Sequence, residues 1–158
     1  MNSELVALIA VGMGIVAGLR SLTAPAVVAW AANLGWIHLQ GSPLAFMGSK
    51  WTVGIFTLLA IGELIADQLP NTPARTAAVG LSARILTGGL SGACLAAAGG
   101  VGLLVGALAG AIGGVVGAFG GYQARVGLVR ALSVPDFAIA IPEDLVAIGL
   151  GLFLASRF

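Results

Sequence analysis

Seven charged side chains fall inside or at the edges of apolar stretches, and they are where this sequence could do chemistry: Arg20, Glu63, Asp67, Arg84, Arg125, Glu143 and Asp144. Arginines can hold an anionic group, and carboxylates can bind a proton or a cation. Thr23 and Thr87 follow Arg20 and Arg84 at the same spacing and add hydroxyls. A charge at the bilayer centre costs about 2.5–3.5 kcal/mol on insertion scales, so such residues persist when they pair, line a polar cavity or act on a solute. The expectation is a polar site between helices that binds a small solute or ion. The plainer reading is a set of ion pairs that lock a bundle. Glu63, Asp67, Arg75, Glu143 and Asp144 lie near span ends, where a side chain can snorkel to water. Arg20 and Arg84 sit closer to mid-span.

Other chemistries have little behind them. There is no histidine–carboxylate pair, no Gly-x-Ser-x-Gly elbow and no metal-ligand cluster, so neither an enzyme nor a metal site is expected. No cofactor is expected either. His38 is the single histidine and Cys94 the single cysteine. Cys94 lies in an apolar run and reads as a small buried side chain. The net charge is +1 and the basic residues form no patch, which leaves nucleic-acid binding without electrostatic support.

Elements that could carry these residues follow from composition. Of the 158 residues, 59% are hydrophobic and 8% charged, with a mean hydropathy of +1.08. Soluble domains carry about 25% charged residues. The class is therefore all-α: a polytopic transmembrane helical bundle, with lipids as its neighbours. Ile85 to Ala124 has no charged side chain. Those roughly forty residues make two spans, since each crossing takes about 20. Gly99-Gly100 is the natural turn between them. Glycines recur at four-residue spacing, as Gly102, Gly106, Gly110 and Gly114, then as Gly113, Gly117 and Gly121. Small residues let membrane helices approach closely, so the stripe reads as a packing surface, within one chain or between copies in a homo-oligomer.

In chain order, Met1 to Arg20 superficially resembles a signal sequence, but Glu4 is its only charge before Arg20 and it reads as a retained first span. Leu5 to Leu34 is too long for one straight span and contains Pro25. Either one helix kinks there or two half-helices meet at Arg20–Pro25. Trp30, Trp36 and Trp51 bracket a polar connection from Gly35 to Lys50, as an interfacial aromatic belt would. Trp51 to Leu69 is the next span, with Glu63 and Asp67 on one face of its last turns. Pro70-Asn71-Thr72-Pro73 makes a turn. Ala74 to Ala98 and Val101 to Tyr122 follow. Ser133 to Asp136 breaks the pattern, and Pro142-Glu143-Asp144 opens a last span, Leu145 to Phe158. The count is five or six segments. With five, the positive-inside rule favours a cytoplasmic N-terminus.

An internal echo links Arg20-Ser-Leu-Thr-Ala to Arg84-Ile-Leu-Thr-Gly, and each half also carries an acidic pair near a proline. A single membrane domain, 1–158, with repeat halves 1–72 and 73–158 would fit a transporter, whose site lies at the interface of interrupted helices.

The segments Gly18 to Pro25, Glu63 to Pro70 with Pro73 and Arg75, and Pro142-Glu143-Asp144 together resemble the small bacterial integral membrane proteins grouped as domain of unknown function 4126. The resemblance implies a multi-span membrane protein and brings no substrate and no catalytic residue. Two roles follow from the residues themselves. One is a transporter or channel for a small solute or ion, built on the arginine–carboxylate set. The other is a structural or assembly protein whose glycine-rich helix docks a partner. Lipid handling, through an arginine-bearing cleft, is a third.

Overall fold

The computed structural model describes residues 1–67 and 76–158. The expected turn at Pro70–Pro73 and Arg75 lie outside these residues. The described chain is helical: α1 (Ser3–Leu19), α2 (Thr23–Asn33), a 3-10 turn (Ala45–Gly48), α3 (Lys50–Ala66), α4 (Ala78–Ala98), α5 (Leu103–Leu132) and α6 (Asp136–Ala155). Helices α4, α5 and α6 are each long and apolar enough to cross a membrane, and α1 is an apolar helix of 17 residues. Large apolar side chains lie exposed along them, among them Leu86, Leu104, Ile112 and Leu145. A surface of this kind suits lipid rather than water, and these are the features of a membrane protein.

The Arg20–Pro25 stretch is a break. Helix α1 ends at Leu19, and Arg20 adopts an extended backbone with φ −139° and ψ 107°. Pro25 falls in the first turn of α2 and kinks nothing. A first-turn amide has no intrahelical acceptor anyway, so the missing N–H is harmless there. The chain then turns back on itself. A methyl group built on Gly151 would lie 3.3 Å from Val27 and 3.6 Å from Val16. In one straight helix those two valines would stand roughly 16 Å apart. Ala31, Ile37 and Met47 accordingly share a core with Ile9, from the first half of α1, and Ala155, the last residue of α6.

Neighbour pairs give the remaining directions. Leu22 meets Glu63 and Trp30 meets Thr57, so α3 runs antiparallel to α2. Helix α4 lies antiparallel to α1, with Gly88 near Ala17 and Gly99 near Val6. Helix α5 lies parallel to α1, with Gly14 against Gly110 and Gly18 against Gly114. The six helices thus alternate in direction, and the ends of α1, α3 and α5 gather with the starts of α2, α4 and α6.

The centre of the bundle is a backbone-to-backbone contact of α1, α4 and α5. A methyl group on Gly88 would lie 2.6 Å from Gly110 O, and one on Gly18 would lie 2.5 Å from Gly114 O. Gly106 lies against Gly92 in the same way, and Gly113 and Gly117 lie against Val11 and Ile15 of α1. Gly102 stands outside this contact, as the residue preceding α5. Since Gly106, Gly110 and Gly114 meet helices of the same chain, an oligomer built on them would have to displace α1 or α4. The α4–α5 turn uses Gly100 at φ +69°, a conformation that other residues rarely take.

Two helix boundaries differ from expectation. Helix α5 continues past Tyr122 to Leu132, and α6 begins at Asp136 rather than at Pro142. Ser133, at φ 51°, and Pro135 make the turn. Pro142 is carried inside α6. Glu143 and Asp144 therefore lie beyond the first turn, too far along to cap it.

Candidate functional site

The break between α1 and α2 creates exposed helix ends inside an apolar bundle, and charged side chains answer each of them. At the start of α2, the Ser21 and Leu22 amides have no intrahelical acceptor. Glu63, from the last turn of α3, takes both. Its Oε1 accepts from Ser21 N at 2.8 Å and from Ser21 Oγ at 2.6 Å, and its Oε2 accepts from Leu22 N at 2.8 Å. A carboxylate at a helix N-terminus also complements the positive end of the helix dipole.

Arg84 answers the end of α1. Its Nε donates to Gly18 O at 3.0 Å and its Nη1 to Gly80 O at 3.0 Å, one turn back on α4. A cation is favoured at a helix C-terminus, where the last carbonyls lack donors. Arg84 is buried. The Thr87 hydroxyl donates to Ala83 O at 2.9 Å on its own helix. Thr23 is buried as the first residue of α2, and its amide donates to Arg20 O at 3.3 Å.

Arg20 sits at the break itself with a side chain that is 0% exposed. Its Nε bonds Asp144 of α6 and its Nη1 pairs with Asp67, the residue that closes α3. One guanidinium thus ties three chain segments together, and its planar fork suits two carboxylates at once. Asp67 and Asp144 are themselves nearly buried, with side chains 13% and 11% exposed.

A second group forms farther along α5 and α6. Arg125 Nε donates to Asp136 at 2.8 Å, and Nη1 reaches Glu143 at 3.5 Å. Glu143 and Asp144 are adjacent in sequence, yet they project about 100° apart on the helix and serve different arginines.

Of the nine expected residues, the fold brings Arg20, Glu63, Asp67, Arg84 and Asp144 to the break, with Thr23 at its edge. Arg125 and Glu143 form the outer group, and Thr87 bonds its own helix. Ser21 and Asp136 were missed as partners. Ser21 stands directly after Arg20 and before a proline-started helix, which is the position of an amide needing an acceptor. Asp136 follows Pro135 at a helix start, where acidic residues are favoured. The echo of Arg20-Ser-Leu-Thr in Arg84-Ile-Leu-Thr covers two different backbones, since α4 runs unbroken through Arg84.

The Glu63 cap gives a direct prediction. In Glu63→Gln one side-chain oxygen remains, so either the Ser21 or the Leu22 amide loses its acceptor. A buried amide left unsatisfied costs about 1–3 kcal/mol. The variant should unfold earlier in detergent by that amount, and either its Ser21 or its Leu22 amide should exchange hydrogen faster than in the wild type. Unchanged exchange at both amides would show that Glu63 does not hold α2.

Neither the search of curated proteins nor that of solved structures gave a match. The sequence pattern of one family, described as Domain of unknown function (DUF4126), matches residues 7–156. That match contains the break, both arginines facing it and all three carboxylates around them, so by nearly its whole length the chain belongs to the DUF4126 family.

Proposed function

We propose that this protein moves a small solute or ion across the bacterial cytoplasmic membrane as a multi-pass, glycine-packed bundle, with its site at the Arg20 break. The observation that carries this reading is a fully buried guanidinium, held by carboxylates of two other segments, where an apolar helix is interrupted. Transporters commonly place their sites at interrupted helices, whose ends offer oriented amides and carbonyls. Depth agrees with this. Arg84 and Ala98 lie near opposite ends of α4, roughly 21 Å apart at 1.5 Å per residue. With the Gly99–Gly102 turn at one face of a core about 30 Å thick, the break stands inside the hydrocarbon, toward the other face. All six helices then enter the bilayer. Both chain ends lie opposite Arg125 and Arg130, so the positive-inside rule puts the arginine-bearing end in the cytoplasm. That orientation reverses the one expected from five crossings.

A second reading also has an observation in its favour. Glu63 and Arg84 direct their hydrogen bonds to the backbone of the break, which is what a structural lock would do. In this reading the charges stabilise a membrane scaffold that docks a partner. Cysteine accessibility separates the two. With Cys94 replaced by serine, single cysteines at positions 20, 23, 63, 84 and 87 are challenged in whole cells with a membrane-impermeant thiol reagent. The transport reading expects labelling at positions 20, 23 and 63 that a candidate solute blocks. Protection of every position in folded protein would overturn it in favour of the scaffold.

A further inference from the structure

We infer that the groove between the start of α1 and the end of α6 binds an anionic phospholipid, one acyl chain lying in the groove and the phosphate meeting Arg157. This inference does not depend on what happens at the Arg20 break. The groove has a volume of about 440 Å³, and its walls are apolar: Leu5, Leu8 and Ile9 from α1, Phe153 and Leu154 from α6. That size falls within the roughly 300–1,000 Å³ of small-molecule pockets.

Charge selects the occupant. Among the described residues of the lining, which also include Met1, Arg157 has the one charged side chain. Its guanidinium lies 4.1 Å over the Phe153 ring, which holds it at the rim. It makes no ion pair among the described residues. Glu4, the nearest acidic residue in sequence to the α1 wall, is exposed and not part of the lining. An apolar slot with one cation at its mouth matches a fatty chain ending in a phosphate.

Position in the bilayer agrees. Trp30, Trp36 and Trp51 are exposed, and they occupy the end of α2, the following connection and the start of α3. By the alternation of the helices this is the end at which α1 starts and α6 finishes. Tryptophans gather at the headgroup level, so the groove opens where a phosphate would sit and runs toward the acyl chains.

The test uses the full chain purified in a mild detergent with equal amounts of phosphatidylglycerol and phosphatidylcholine, with retained lipid counted by native mass spectrometry. Wild type should retain phosphatidylglycerol preferentially. Arg157→Gln should lower that preference by about fivefold, the effect of one cation at an anionic headgroup. Leu8→Trp, at a position 67% exposed and therefore safe for folding, should fill the groove and reduce retention of both lipids. Equal retention of the two lipids by wild type would overturn the inference. So would an unchanged preference in Arg157→Gln, because the phosphate would then be held elsewhere.

Discussion

Arg20→Met should cost about 3–5 kcal/mol of stability, because it leaves Asp67 and Asp144 as uncompensated charges in a nearly dry site. Arg20 is fully buried and bridges α3 and α6 across the end of α1. Losing it removes the attraction between those segments and leaves the desolvation of both carboxylates unopposed. Arg20→Lys should not restore the site, since an ammonium cannot offer the planar fork that engages two carboxylates together. The triple variant Arg20→Met, Asp67→Asn, Asp144→Asn should recover much of the loss, because neutral groups are far cheaper to bury than unpaired charges. Chemical unfolding in one detergent measures all three. If Arg20→Met matches wild type, the ion pairs do not hold the bundle. Solute flux by the triple variant in proteoliposomes then separates the two functional readings. Where the wild type carries flux, a folded but inactive triple variant assigns the cluster to transport, and a folded variant with wild-type flux, or a wild type without flux, assigns it to scaffolding.

The second large effect is expected at Gly110, which lies between Gly14 of α1 and Gly88 of α4. A single added methyl group would run into the Gly88 carbonyl. The obstruction is backbone on a packed helix, so no rotamer change relieves it and the helices must separate. Overpacking a core usually costs about 1–3 kcal/mol, and Gly110→Ala belongs at or above the top of that range. Gly120 and Gly127 are the internal controls. They lie on the same helix with nothing within 4 Å of an added methyl group. Gly120→Ala and Gly127→Ala should stay within about 1 kcal/mol of wild type, since alanine is the better helix former. Equal behaviour of all three variants would mean that α5 does not pack through Gly110.

Part of this architecture is legible in the sequence because it rests on bulk transfer energies. An uncharged run from Ile85 to Ala124 has too much apolar surface for water, and glycines at four-residue spacing fall on one helix face whatever the helix meets. The helical class, the turn at Gly99-Gly100 and the set of charges worth examining all follow from such local properties. Family membership was legible too, in motifs that run from Gly18 to Asp144.

The pairings were not legible, because a helix specifies which residues share a face but not which helix covers that face. Proline at position 25 reads equally as a kink or as a start, and the choice depends on Glu63, a distant residue that satisfies the freed amides of Ser21 and Leu22. Once α2 turns back, every later segment reverses its direction, and with it the side on which Arg125 and Arg130 emerge. Glu143 and Asp144 look like one acidic cap until α6 is seen to begin at Asp136; the helical rotation between them then sends one to Arg125 and the other to Arg20. Composition and periodicity alone determined that this chain is an apolar helical protein with a few costly charges. Only the tertiary structure decided where those charges meet, since burying a charge requires partners that other segments must bring.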